Sequence, residues 1–219
     1  DAPVEGLNYV CEASGLTGIT DNTGTFTCQA TDDNVTFSIG AYVICSSTST
    51  SGTVTPYSLY PDNEDAAVDV AQLLQTLDSD EDGVITIPED FTALDDVNAT
   101  PGEATFEDEA EAALTADAGE TVALVTENTA QESMDENILL SLLGGKTFYL
   151  AVENDFVQKL VFDTNLTEVN STILAGGVTG ESDLLSTTLE NGWLSVAGQG
   201  HIEFVEATDD YLLINHTVD

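Results

Sequence analysis

Short apolar runs separated by turn-forming residues make up the first 60 residues of the chain. The runs are rich in β-branched and aromatic residues, and the Asp, Asn, Gly and Ser residues between them favour tight turns. This pattern predicts a small β-sandwich over residues 1–60. The predicted strands are Leu7–Cys11, Thr25–Ala30, Val35–Ile39 and Tyr42–Cys45.

The period of the apolar residues changes after Pro61. Apolar side chains then recur at i, i+3, i+4 and i+7, which places them on one face of a helix over residues 62–77. Further helices are predicted to begin at Glu89 and to span Thr105–Ala116 and Gln131–Leu143, the last closed by two glycines. Residues 61–143 are therefore predicted to form a helical segment.

Strand-like runs return in the last part of the chain, residues 144–219. They recur about every 8–12 residues, which is typical of an antiparallel meander or a partly closed barrel. The whole chain is thus predicted to be mainly β with a helical insert, an α+β fold. The predicted strands are Lys146–Glu153, Val157–Asp163, Glu168–Leu174, Leu184–Glu190, Gly192–Ala197, His201–Ala207 and Tyr211–Thr217.

Residues 78–89 have the residue pattern of a twelve-residue EF-hand calcium loop. Acidic residues stand at positions 1, 3, 5 and 12, Gly83 stands at the sharp turn, and Ile85 is placed to pack behind the loop. With its flanking helices the segment is predicted to be an EF-hand-like helix–loop–helix, the alternative being a solvated acidic turn. The predicted calcium ligands are Asp78, Asp80, Asp82, the carbonyl of Val84, Thr86 and Glu89.

Acidic residues outnumber basic ones by 41 to 2, which gives a net charge of −39. Such a surface repels nucleic acid and anionic membranes, since binding either one requires Lys and Arg. Mutual repulsion of the carboxylates calls for screening by salt, for bound divalent cations, or for both. The composition therefore indicates a halophilic or marine protein, and for many carboxylates solubility alone is a sufficient explanation.

The three cysteines lie in the first quarter of the chain and form no metal-binding or haem-binding spacing. Cys11 and Cys28 end strand-like runs on either side of a turn region, so we expect a disulfide between them. Cys45 is then left over, either buried and inert or linked to another subunit. With no membrane-spanning stretch apparent, the chain is expected to be a mature, secreted protein.

Three stretches of the first 40 residues carry a family resemblance: Val4–Tyr9, Gly18–Phe26 and Val35–Gly40. They resemble the carboxypeptidase-regulatory or transthyretin-like β-sandwich of secreted and surface proteins of marine bacteria. In such proteins the module is followed by elements similar to Thr55–Leu59 and Leu73–Asp78. The resemblance implies a role at the cell surface and no catalytic activity.

The expected function is that of a calcium-stabilised structural or adhesive extracellular protein. It would be a homo-oligomer or polymer, as in a surface filament, pilus or matrix assembled by strand addition, with a possible surface or carbohydrate ligand. The alternatives are a salt-adapted secreted hydrolase and a monomeric carbohydrate-binding or partner-binding module. Neither His201 nor His216 lies in a nucleophile motif, so an enzyme is not expected.

Overall fold

The computed structural model describes residues 2–29, 34–47, 54–78, 83–152, 156–175, 178–190, 193–196, 200–207 and 212–217. Its contacts divide the chain into two compact units, residues 1–131 and 132–219. In the described residues helices are combined with three β-sheets, which confirms the predicted mixture of the two. The first unit contains residues 1–60, where a sandwich was predicted, and most of the predicted helical segment. Most of its buried apolar side chains form one core.

A four-stranded antiparallel sheet, in the order β3-β2-β4-β5, organises the first unit. Buried and partly exposed side chains alternate along β4, as expected for a sheet with one face in the core. Between β4 and β5 the register shifts, so that Phe37 pairs with Cys45 and Ser38 with Val43. Ile44 is the extra residue of this bulge, and β5 therefore buries both Ile44 and Cys45. The strands of this unit are β1 (Val4–Glu5), β2 (Asn8–Cys11), β3 (Thr17–Ile19), β4 (Val35–Ile39), β5 (Tyr42–Ser47) and β6 (Ile85–Thr86).

In the described residues of the first unit, a four-stranded sheet packs against helices, and the only other sheet is the two-stranded pair of β1 and β6, so no two-sheet sandwich of the predicted kind is seen there. Residues 25–29 of the predicted strand Thr25–Ala30 form no strand, and Ala30 lies outside the described residues. Instead, Phe26 packs on the sheet, with its ring centroid 5.8 Å from that of Tyr9 and 5.1 Å from that of Phe37. Helix side chains fill the same core, so that helices occupy the place where a second sheet was expected.

The helices follow the predicted periodicity with one exception. α2 begins after Asn63, whose side chain accepts a hydrogen bond from the Ala66 N–H at 3.3 Å. The helix is buried on nearly all sides between Ala66 and Leu74, where only Asp69 is partly exposed. α3 and α4 confirm two further predicted helices with shifted ends. The helix predicted to begin at Glu89 is wrong, and a short helix that the pattern did not predict precedes α2. The helices are α1 (Pro56–Leu59), α2 (Glu64–Leu77), α3 (Phe106–Ala118) and α4 (Glu127–Leu143).

The second unit contains a seven-stranded antiparallel sheet whose strands run in sequence order from β7 to β13. Each strand pairs with the next one along the chain, which is the meander topology, and the two outermost strands are β7 and β13. Its core includes Leu143, Phe162, Leu166 and Leu194. The strands are β7 (Thr147–Val152), β8 (Phe156–Phe162), β9 (Glu168–Ala175), β10 (Val178–Glu190), β11 (Trp193–Val196), β12 (Gly200–Ala207) and β13 (Leu212–Thr217).

Among the described residues, no helix is both long enough and apolar enough to cross a bilayer.

Candidate metal site: the loop after helix α2

The predicted calcium loop begins where α2 ends. Asp78 is the C-terminal cap of the helix, and its backbone N–H donates to the Gln75 carbonyl at 3.2 Å. The partial negative charge at a helix C-terminus favours a nearby cation, so this position suits the first ligand of a calcium loop. The structure describes Asp78, Val84, Thr86 and Glu89 of the predicted ligands, whereas Asp80 and Asp82 lie outside the described residues.

Two residues of the loop agree with the EF-hand pattern, one in its backbone conformation and the other in its burial. Gly83 adopts φ +91°, a region that favours glycine, and a Cβ placed there would meet nothing within 4 Å. A glycine is therefore favoured at this position by the backbone conformation and not by a lack of space for a side chain. Ile85 is only 5% exposed and belongs to the core of the first unit, so it is buried, as a residue packed behind the loop was predicted to be.

The second half of the loop is bound to the N-terminal strand. β6 pairs with β1 in parallel, with Val4 opposite Ile85. The Ile85 N–H donates to the Pro3 carbonyl at 2.9 Å, and the Ile87 N–H donates to the Glu5 carbonyl at 2.9 Å. The loop is therefore held by main-chain hydrogen bonds to a segment that is about 80 residues away along the chain.

Thr20 connects the same N-terminal strand to the four-stranded sheet. Its hydroxyl donates to the Val4 carbonyl at 2.6 Å and accepts from the Leu7 N–H at 3.0 Å, and the residue is only 4% exposed. Gly6, between these two contacts, adopts φ +92°, and a Cβ there would lie 2.2 Å from the Ile87 carbonyl oxygen. Any side chain at Gly6 would therefore push the loop away from the strand.

The chain leaves the loop through consecutive turns and not through a second helix. In residues 88–97 three N–H groups, those of Phe91, Asp95 and Val97, donate to carbonyls three residues earlier, and no run of successive bonds forms a helix. Asp95 is engaged elsewhere, since its carboxylate accepts from the Ala41 N–H at 2.8 Å in the turn between β4 and β5. A short helix without a long packed face is only marginally stable, so this tertiary contact is favoured. The predicted helix–loop–helix is thus a helix followed by a loop, a short strand and turns.

The exposed side chains of Thr86 and Glu89 are open to solvent at the end of the loop, while Asp78 is partly buried. Carboxylate and carbonyl oxygens are the ligands that calcium prefers. Within the ranges that the structure describes, no three His, Cys, Asp or Glu side chains form a group able to hold a metal ion. Any calcium site in this loop would therefore need Asp80 and Asp82 in addition to the described ligands.

The cysteines lie in the sheet and in the segment that covers it. A disulfide joins Cys11 and Cys28, the pair expected from the sequence, with their Cα atoms 5.8 Å apart. It attaches the segment that carries Phe26 to the end of β2. Cys45 has a free thiol in the core, and burial raises its pKa to about 12, which keeps it in the unreactive thiol form at neutral pH.

Several carboxylates accept hydrogen bonds from main-chain N–H groups, a role that the sequence analysis missed. Glu109 accepts from the Asn98 and Ala99 N–H groups at 2.9 and 3.0 Å, and these bonds lower its pKa. Asp69 accepts from the Gly102 N–H at 2.6 Å, but desolvation raises the pKa of this carboxyl. No local sequence signal marks these carboxylates, because their partners lie 10 to 33 residues away along the chain.

No protein-family model, curated protein sequence or solved structure matches this chain. The resemblance to surface proteins of marine bacteria therefore stays an expectation from the sequence.

Proposed function

We propose that this chain is a secreted, calcium-stabilised structural or adhesive protein that serves as a subunit of a surface filament, pilus or matrix. The observation that carries the calcium part is the local geometry of the described residues on either side of residues 79–82, namely Asp78 and residues 83–89. A helix C-terminus, a glycine at φ +91° and a buried Ile85 surround a segment with acidic residues at the calcium-ligand positions. A chance acidic turn has no need of these three features together.

Hydrogen bonds on both sides of the loop explain how calcium would stabilise the first unit. The loop is bonded to β1 on one side, and the turns that follow it are bonded to the β4–β5 turn on the other. A metal ion that orders the loop would therefore also fix the N-terminal strand and the sheet. This arrangement supports a structural calcium site and not a sensor, since the described part of the chain has no exiting helix that could move.

Two further features support an extracellular location in a salty medium. Disulfides persist in oxidising compartments, and this chain contains one between Cys11 and Cys28. The net charge of −39 repels nucleic acid and anionic membranes and is tolerated best where salt screens it. These features favour secretion and leave a homo-oligomeric assembly, or a surface or carbohydrate ligand, as the proposed kinds of partner.

The test is a comparison of thermal unfolding with calcium and with a chelator, at constant ionic strength. We expect calcium at about 100 times its Kd to stabilise the first unit by about 2.7 kcal/mol. Glu89→Gln removes the bidentate ligand and should abolish most of the shift. Asp90→Asn makes a similar charge change one residue later, outside the loop, and should keep the shift. Equal shifts in both variants, or equal effects of magnesium and calcium, would contradict a specific calcium site. They would show that the cations act only by screening the charge of the carboxylates.

A further inference from the structure

The edge strand β7 differs from the edges of the first sheet. Edge strands expose unpaired N–H and C=O groups, and proteins usually protect them by shortness, by charge or by cover. In the first sheet, β3 is only three residues long, and the Tyr60 hydroxyl of the segment after α1 donates to the Ile44 carbonyl in β5. β7 has six residues, Thr147–Val152, and none of them is charged.

The distribution of charge across the seven-stranded sheet sharpens this difference. Charged residues occur in β8, β9, β10 and β12, which all lie inside the sheet, whereas neither edge strand contains one. The only two basic residues of the chain also lie at the β7 edge. Lys146 directly precedes β7, and Lys159 is paired with Tyr149 across β7 and β8. In a chain of net charge −39, these two lysines lower the electrostatic repulsion that a second copy meets beside this edge.

The hydrogen bonds between β7 and β8 define which groups of β7 face outward. The Phe162 N–H donates to the Lys146 carbonyl at 3.0 Å, and the register from Thr147 to Val152 contains no shift. In an antiparallel pair, bonded and non-bonded positions alternate. The N–H and C=O groups of Thr147, Tyr149 and Ala151 therefore point away from β8, toward the free edge.

From this geometry we propose that β7 pairs with β7 of a second copy of this chain, antiparallel, about a twofold axis at Tyr149. In this register Tyr149 pairs with Tyr149 of the second copy, and Thr147 pairs with Ala151. All three outward-facing positions of each copy then form bonded pairs, and two seven-stranded sheets become one continuous sheet. The proposal rests on the proposed assembly by strand addition and specifies its partner and its strand.

The exposure of Tyr149 supports the position of the axis. Its side chain is 62% exposed, which is unusual for a large aromatic residue in a strand. Across the twofold axis the two Tyr149 rings become neighbours on one face of the joined sheet, each flanked by its own Lys159. A contact of this kind is isologous and closes as a dimer, so a filament would require a second interface elsewhere.

The first experiment measures association by sedimentation equilibrium, from about 0.1 M to about 1 M NaCl. We expect wild-type chains to form a dimer of twice the 23.1 kDa chain mass, more strongly at high salt because repulsion is screened. Tyr149→Lys should lower the association constant at least tenfold. Leu184→Lys is the matched control, since Leu184 is also 62% exposed but lies on β10 inside the sheet. Wild-type chains that stay monomeric at every salt concentration would overturn the proposal, as would a Tyr149→Lys variant that associates like wild type through another edge such as β13.

The second experiment tests the register with introduced cysteines under oxidising conditions. Bonded antiparallel pairs place their Cα atoms about 5.5 Å apart, which a disulfide can span. Tyr149→Cys should therefore form a covalent dimer by itself. Thr147→Cys and Ala151→Cys should cross-link when mixed but not when kept apart. Dimers in which Tyr149→Cys fails to cross-link would contradict the register. A calcium-dependent melting shift in a chain that never dimerises would contradict the proposed β7 contact but would still support the proposed calcium site.

Discussion

The two units satisfy their main-chain hydrogen bonds in different ways. In the first unit, long irregular segments are held by side-chain carboxylates, as where Asp95 accepts from the Ala41 N–H and Glu111 accepts from the Leu124 N–H at 2.9 Å. In the second unit nearly every described strand bonds to the next one along the chain. Asp163, in the turn after β8, accepts from the Glu168 N–H at 2.9 Å and is an example of the first strategy in the second unit.

The difference shows what acidic residues can do in a chain with only two cations. Ion pairs between side chains are nearly excluded, yet a carboxylate can still form charge-assisted hydrogen bonds with main-chain N–H groups. The first unit uses these bonds to connect distant segments to its sheet. In the described part of the second unit the strands form a regular hydrogen-bonded ladder, and the edges of this ladder become the feature that must be explained.

The largest expected effects on the free energy of unfolding come from truncating one large buried side chain in the core of each unit separately. Phe106 in α3 and Leu194 in β11 are fully buried in the first and second unit respectively. Phe106→Ala should cost about 3–5 kcal/mol and Leu194→Ala about 2–5 kcal/mol, because each leaves a cavity. Hydrogen exchange followed by mass spectrometry should show faster exchange mainly in the unit that carries the substitution. Equal acceleration in both units would mean that they unfold together.

Removal of the disulfide should have the next largest effect and should be confined to the first unit. Replacing both Cys11 and Cys28 by Ala opens a covalent loop with a sequence separation of 17 residues, which we expect to cost about 3 kcal/mol. Urea unfolding should show this loss, and a reductant should produce a similar loss in the wild type. Cys45→Ala is the control, since that variant should keep its sensitivity to reductant. A first unit that unfolds at the same urea concentration with and without the bridge would contradict the role given to it.

The same comparison explains how much of the fold could be predicted from the sequence. Six of the seven strands of the second unit were predicted to within one residue at each end, because each one pairs with its neighbour in sequence and alternation alone defines it. The exception is β10, which begins at Val178, six residues before the predicted start at Leu184. In the first unit the strand Thr25–Ala30 and the helix from Glu89 were wrong. Both segments are shaped by distant partners, namely Tyr9 and Phe37 for the first and Ala41 for the second. Tertiary contacts of this kind override local preference and leave no periodic signal.

The candidate site shows the same division between local and distant information. The positions of Gly83 and Ile85 follow from the loop pattern, and the structure confirms the burial of Ile85. The parallel pairing of β6 with β1 had no signal in the sequence, because the two strands are two residues long and far apart. Strand pairs this short can be identified only once the surrounding sheet is known.

The smallest expected effects distinguish the two kinds of carboxylate in the first unit by their pH dependence. The pKa of Asp69 is raised, mainly by desolvation, so the folded state favours its protonated form and is penalised at neutral pH. Asp69→Asn keeps an acceptor for the Gly102 N–H and should raise Tm at pH 7 by about 1–2 °C. This gain should shrink as the pH falls through the raised pKa, since the wild-type carboxyl then becomes neutral as well.

Glu109→Gln is the matched variant, and we expect it to change Tm in the opposite direction. Hydrogen bonds from the Ala99 and Asn98 N–H groups lower the pKa of Glu109, so its ionised form stabilises the folded state at neutral pH. Its substitution should lower Tm at pH 7, and the loss should disappear as the pH falls through the lowered pKa of the wild-type group. Differential scanning calorimetry from pH 3 to pH 7 would measure both slopes, and slopes of the same sign would contradict the distinction. Opposite slopes would show that two carboxylates in one acidic unit, each bound to main-chain N–H groups, act on its stability in opposite directions. The reason is that desolvation is the largest influence on the pKa of Asp69, whereas hydrogen bonds are the largest influence on the pKa of Glu109.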